Sequence, residues 1–224
     1  MSTEVKEISS TTEEYLEAIY KLQERNGAAK TTRLAEQLKV ALGTITNTIE
    51  SMEKQSLVIH EPYKGVKLTA RGRKMALDVV RRHRLSERLL TDVLRLEWSK
   101  AHDAACKLEH VFADKELSRP LDRALGHPKT CPHGNPIPTE TGKLTEEQSE
   151  ALSNLNRGEK GTVVKVTDER PDMLQYLATL GLMPGASVEM EEKAPFNGPV
   201  MVKVMGASYA LGREVASVIW IKRS

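Results

Sequence analysis

The spacing of apolar residues changes once along this chain, and that change limits its possible folds more than any other feature. Up to about residue 125 the apolar positions recur every three or four residues. From Gly161 onward they alternate, in GTVVKV, SVEME, VMVKVM, YALG and SVIWIK. The first pattern buries one stripe of a helix and the second buries one face of a sheet. A 224-residue chain with both divides into a helical body and a small β tail. Between them lie the Pro/Gly-rich HPKTCPHGNPIP and a polar stretch over 139–158, in which a helix could form at 145–155.

The helical body begins with an amphipathic helix over 13–25, with Tyr15, Leu16, Ile19, Tyr20 and Leu22 on one face. Thr11 or Thr12 can cap it, and Asn26-Gly27 stops it. A short helix over 32–38 follows, capped by Thr31 or Thr32. After a turn at 40–43 comes a longer helix over 44–54. Ile45, Ile49 and Met52 face inward there, leaving Thr44, Thr46, Asn47, Thr48 and Glu50 outside. Two β-like runs, 57–60 and 66–69, flank Pro62-Tyr63-Lys64-Gly65, a hairpin signal. Helix, helix-turn-helix and basic-tipped hairpin is the order of a winged helix-turn-helix, whose second paired helix suits the major groove.

Charge supports this without deciding it. The whole chain carries only +2, but residues 28–90 hold thirteen Lys/Arg against six acids. Such local basicity is expected of a phosphate-binding surface, and equally of a solvated helical face. Aromatic residues make up only 4%, which argues against stacking of single-stranded bases. Two cysteines cannot build a disulfide scaffold, no apolar run approaches the ~18 residues of a membrane span, and the polar opening lacks the apolar core of a signal peptide. A cytoplasmic protein of a reducing compartment is expected, with no membrane partner.

Two longer helices, over 70–94 and 99–113, and a shorter one over 116–125 carry the chemistry. His83 and Glu87 are four residues apart on the first. On the second, His102, Cys106, Glu109 and His110 form a single stripe. Each residue alone has an ordinary structural role: a hydrogen-bonded histidine, a surface ion pair, a small buried thiol. Burying carboxylates and imidazoles together is costly unless they are paired or coordinated, so the conjunction points to a metal. Thiolate, imidazole and carboxylate suit Fe(II), Co(II), Ni(II), Zn(II) or Mn(II), and not Ca(II) or Mg(II). No CxxC pair is present, so a closed structural zinc site is not expected. Cys131 and His133 belong to the Pro/Gly-rich turn and are not expected to ligate. Trp98 is expected in the core, and His60 in solvent or near phosphate.

TTEEYLEAIYKL, RLAEQLKVALGTITNTIESMEKQSLV, RRHRLSERLLTDVL, AHDAACKLEHV and HGNPIP resemble the diphtheria toxin repressor family of metal-dependent repressors. LGLMPGASVEM, APFNGPVMVKV and ALGREVA resemble the FeoA-like SH3 domain of its longer members. The resemblance implies a mainly α fold with small β. A winged helix-turn-helix would occupy 1–73, a helical metal-binding and dimerisation domain 74–140, a linker 141–158 and an SH3-like β-barrel 159–224.

It also implies a regulatory metal site on Glu14, Cys106, Glu109 and His110, and an ancillary site on His83, Glu87 and His102. The family's further ancillary ligands fall on Arg170 and Met173, which cannot serve; a register shift would bring in Glu169 or Asp172. An acid at Glu14, with Glu17 beside it, is the manganese-type pattern, while Cys106 is the iron-type one, and the thiolate favours Fe(II) over Mn(II). The implied function is a homodimeric repressor of metal-uptake genes, acting on a double-stranded DNA operator and taking no small organic substrate. Thr44, Thr46 and Asn47 are the candidate base contacts; Arg33, Lys39, Lys54 and Lys64 are the candidate phosphate contacts. Gly43 stands where many members have Pro. The alternatives are a Mn(II)-responsive repressor, a repressor released by metal, and a metalloenzyme, for which no general base or nucleophile motif is visible.

Overall fold

Ser9, not Thr11 or Thr12, starts the first helix. Its hydroxyl accepts the Thr12 N–H at 3.2 Å, and α1 (Ser10–Asn26) runs until Gly27 at φ +74° turns the chain out. A computed structural model describes residues 8–224, apart from the side chains of 25 and 26. Residues 1–7 of the polar opening lie outside the described residues. The chain divides into two units. One comprises Met1–Arg82 with Pro138–Lys143, and the other His83–Ile137 with Leu144–Ser224.

In the first unit α2 (Thr31–Leu38) and α3 (Leu42–Lys54) form the helix-turn-helix. Lys30 and Ala41 occupy the N-cap positions without a side-chain bond, so the expected threonine cap of α2 is not made. Ile45, Ile49 and Met52 are buried as their spacing predicts, each contributing about 2 kcal/mol of apolar burial. β1 (Val58–Glu61) pairs antiparallel with β2 (Gly65–Leu68), in the register Val58↔Leu68. The Gln23 side-chain carbonyl accepts the Leu68 N–H at 3.0 Å and joins α1 to this wing. Gly72, in α4 (Ala70–Arg88), sits where a Cβ would lie 1.9 Å from the Leu57 carbonyl oxygen. Only glycine lets the helix come that close.

In the second unit the end of α4 continues into a wide π-type turn, Leu89–Val93. A 3₁₀ turn at Trp98–Lys100 leads into α5 (Ala101–Leu108), and Asp114 caps α6 (Lys115–Ala124). The β tail contributes β3 (Glu150–Ala151), β4 (Lys160–Val166), β5 (Ser187–Lys193), β6 (Val200–Val204), β7 (Ala207–Leu211) and β8 (Ile219–Arg223). Their antiparallel order is β3-β8-β4-β5-β6-β7. Val163, Val188, Met190, Val202, Ile219 and Ile221 supply its buried face, with α7 (Pro171–Thr179) and the half-buried Trp98 packed against it.

Two expectations fail here. No helix forms at 145–155: Glu150 and Ala151 pair with Ile221 and Trp220, and a 3₁₀ turn follows at Leu152–Asn154. SVIWIK is not one strand, because α8 (Arg213–Val218) takes its first residues before β8 begins. In the first place pairing with β8 overrides the local pattern; in the second a helical turn does.

Candidate metal centre

The His83 imidazole organises the polar cluster of the second unit. α4 brings His83 and Glu87 to one face, and both are fully buried. α5 ends at Leu108, but Glu109 and His110 keep helical backbone angles, so the stripe from His102 continues through them. His83 Nδ1 lies 2.5 Å from Glu109 Oε2 and 4.0 Å from Cys106 Sγ. Its Nε2 lies 3.1 Å from Glu87 Oε1 and 3.0 Å from His102 Nδ1. His83 therefore lies between the two ligand sets that the family resemblance implies, with one ring nitrogen facing each. His102 Nε2 approaches Cys106 Sγ at 3.9 Å, and His110 Nε2 lies 3.8 Å from Glu109 Oε1.

Burial would push the Glu87 carboxyl upward, but His83, His102 and His133 around it outweigh that and hold it well below the usual carboxylate range. Burial likewise opposes ionisation of Cys106. The imidazoles of His102 and His83 overcome this and lower its thiol, making it a better ligand. Glu87 Oε2 is buried with no hydrogen-bond partner. A bare carboxylate oxygen among imidazoles suits coordination, because a bound cation would supply the missing partner.

Cys131 and His133, not expected to ligate, join this cluster, and with them Glu169, the residue that a register shift was expected to bring in. His133 Nδ1 is 3.2 Å from Glu87 Oε1, and Cys131 Sγ is 3.9 Å from the same nitrogen. Burial lowers the basicity of His133, yet Cys131 and Glu87 raise it to about 11. Burial and the Glu87 charge push the Cys131 thiol up. Glu169 supplies the carboxylate that the register shift allows, with Oε2 at 3.4 Å from His102 Nδ1. Asp172 instead accepts the Met173 N–H at 2.8 Å, and Arg170 pairs with Asp168 at 2.9 Å. His83, Glu87, His102 and Glu169 form one set with ligand atoms all within 4.8 Å of one another, and Glu87, Cys131, His133 and Glu169 form another.

The remaining candidates lie in the first unit. Glu14 is exposed on α1, and the buried Glu17 pairs with Lys21 at 3.0 Å. Buried Glu13 meets Arg82 Nη2 at 2.5 Å. Thr44, Thr46 and Asn47 are exposed on α3, where Thr46 Oγ1 donates to the Leu42 carbonyl at 3.1 Å. Lys39, in the left-handed region at φ +55°, and Lys54 are also exposed. Arg33 is paired with Glu36 at 2.8 Å and Lys64 with Glu61 at 3.3 Å. Both pairs lie at the surface, where such contacts contribute about 0–1 kcal/mol and yield readily to a phosphate. Tyr63, fully exposed at the wing tip at φ +64°, is a further candidate contact that the sequence pattern did not single out.

Three family models match the chain. One, described as the N-terminal DNA-binding domain of iron-dependent repressors, covers residues 7–66. Another, the metal-binding and dimerisation domain of the same repressors, covers 69–139, and the FeoA domain covers 151–223. A DNA-binding domain, a metal-binding and dimerisation domain and a FeoA domain in one chain define a metal-dependent transcriptional repressor, not an enzyme. The diphtheria toxin repressor of Corynebacterium jeikeium is 34% identical over 96% of this chain and 86% of its own length. The iron-dependent repressor IdeR of Mycobacterium tuberculosis is 33% identical over 97% of this chain and 99% of its own. Among solved structures, a manganese-dependent transcriptional repressor in complex with manganese superimposes with a TM-score of 0.88. It is 34% identical and covers 95% of this chain and 100% of its own. The chain belongs to the diphtheria toxin repressor and IdeR family. No helix among the described residues is long and apolar enough to cross a membrane.

Proposed function

We propose that this chain is an Fe(II)-activated, homodimeric repressor of metal-uptake genes that acts on double-stranded DNA in the cytoplasm. Cys106, Glu109 and His110, joined by Glu14, would hold the regulatory ion, and His83, Glu87, His102 and Glu169 an ancillary one. When bound, an ion supplies the positive charge that these clustered carboxylates and the thiolate lack. Glu14 would tie α1 to that set, and the bound ion would thereby fix the first helix. The two recognition helices of the dimer are then held at the spacing of successive major grooves. Thr44, Thr46 and Asn47 would meet base edges, while Arg33, Lys39, Lys54 and Lys64 would meet phosphates.

The observation that carries this reading is the convergence of a lowered thiol, two imidazoles and two buried carboxylates from α4 and from α5 with the turn that follows it. The Cys106 thiolate favours Fe(II), a softer ion than Mn(II). Acids at Glu14 and Glu17, and the likeness to a manganese-bound repressor, support Mn(II) as the second reading. Anisotropy of labelled operator DNA, measured anaerobically with Fe(II), with Mn(II) and with chelator, separates them. Fe(II) should tighten binding most. Stronger activation by Mn(II) selects the second reading, and tighter binding in chelator overturns both.

A further inference from the structure

The wing ends in a tight turn built on a residue that such turns disfavour. The Lys64 N–H donates to the Glu61 carbonyl at 3.0 Å, closing a four-residue turn with Pro62 and Tyr63 at its centre. Proline followed by a left-handed residue is the pattern of a type II turn, whose second central position favours Gly or Asn. Here that position holds Tyr63, at φ +64°. Left-handed backbone is disfavoured roughly 5- to 30-fold for a residue with a Cβ. Burial does not offset this, because Tyr63 is fully exposed.

The base of the hairpin, by contrast, is held firmly. Glu53, near the end of α3, accepts the His60 N–H at 2.9 Å, so the hairpin leaves directly from the recognition helix. Ala29 and Val66 exchange backbone hydrogen bonds at 2.9 and 2.8 Å. Gly65 permits that approach, since a Cβ on it would lie 2.5 Å from the Ala29 carbonyl oxygen. From this base, four-residue strands at about 3.3 Å per residue carry the tip outward by about 13 Å. Lys64 and Lys67 flank the ring, paired with Glu61 at 3.3 and 3.1 Å, and surface pairs of this kind exchange readily for phosphates.

With α3 in the major groove, the next groove across one phosphate strand is the minor groove, about 6 Å wide. An aromatic ring enters such a groove edge-on, between deoxyriboses that offer it C–H faces. The groove floor at an A·T pair carries only acceptors, to which a phenol donates; at a G·C pair the guanine amino group stands in the way. We propose that Tyr63 enters the minor groove beside each half-site, its ring packed on deoxyribose and its hydroxyl donating to an A·T base edge. The wing then selects a base pair that α3 does not reach. This rests on the DNA-binding reading above and adds a second groove to it.

The test compares the full chain with Tyr63→Gly and Tyr63→Phe on the duplex that the wild-type chain selects from a randomised library, anaerobically and in whichever of Fe(II) and Mn(II) activates it. Glycine relaxes the turn, so the melting temperature of the DNA-free protein should hold or rise. Affinity for the duplex should nonetheless fall roughly 5- to 150-fold, the range of one aromatic stack on nucleic acid. No charge is lost, so the slope of log affinity against log salt should not change. Hydroxyl radicals attack deoxyribose from the minor groove, and their footprint should lose one flanking patch in each half-site and keep the rest. Tyr63→Phe should keep that patch and lose the A·T preference there. Equal affinity of the wild-type and Tyr63→Gly chains overturns the proposal, and so does a fall in affinity matched by a fall in melting temperature. A smaller sedimentation mass of the DNA-free Tyr63→Gly chain also overturns it, by making the tip a contact between copies. A wild-type chain that selects no duplex with either ion removes the proposed function as well; one that does, with Tyr63→Gly equal to it, removes only this inference.

Discussion

Replacing Cys106 with Ala should separate metal response from folding. In the metal-free protein the thiol makes two long contacts, to His83 at 4.0 Å and His102 at 3.9 Å, and the residue is only partly buried. Its removal should cost about 1 kcal/mol of stability or less. The same sulfur is one of four proposed ligands to the regulatory ion. Structural zinc sites bind with roughly 10–16 kcal/mol, and on that scale one ligand of four accounts for about 2.5–4 kcal/mol, or roughly 60- to 900-fold in affinity. Anaerobic Fe(II) competition against a chromophoric chelator gives the affinity, and urea unfolding of the metal-free chain gives the stability. A change of less than about threefold in metal affinity would refute the ligand assignment. So would a stability loss as large as the loss in metal binding.

Glu14→Ala should weaken binding of the regulatory ion, as loss of any one of its four proposed ligands does, leave the ancillary ion bound, and abolish the gain in operator affinity, because α1 loses its tie; isothermal titration with and without operator DNA measures both. If Arg33, Lys39, Lys54 and Lys64 each meet a phosphate in both protomers, log affinity should fall with log salt at a slope of about −7, and a slope near −2 would exclude the surface. Asn47→Ala should cost about 1–3 kcal/mol on the best operator and relax selection at one base pair, read by binding to a randomised operator library. Gly134→Ala places a Cβ 1.9 Å from the Val164 oxygen in a left-handed conformation. It should lower stability by about 2–4 kcal/mol in thermal unfolding, as the turn lifts and its bonds to Val166 weaken.

Much of this site was legible because a helix repeats. His83 with Glu87, and His102 with Cys106 through His110, could be placed on two faces from spacing alone, and those faces do meet. The buried side of α3 was legible for the same reason, since Ile45, Ile49 and Met52 mark an unbroken stripe, and the wing was legible from the turn residues 62–65 between two β-like runs. Cys131 and His133 were not. They are two residues apart in a turn, and their approach to Glu87 depends on Gly134 letting that turn sit on β4. Glu169 needed the same tertiary register, fixed by the Asn135 amide. Residues 145–155 carried a plausible helical pattern, but Glu150 and Ala151 gained more by completing the β8 edge. The α1 cap fell on Ser9, two residues earlier than the nearer threonine candidate, because either hydroxyl could do the work and only the path of the chain chooses.

The central claim is that metal and operator favour one and the same arrangement of this chain. Thermodynamic coupling must then run both ways by an equal factor. Fe(II) affinity, titrated anaerobically with and without saturating operator DNA, measures that factor directly. The account predicts tighter metal binding in the presence of operator, by the same ratio that metal tightens DNA binding. Equal metal affinity in both titrations, or weaker binding with operator, would contradict it.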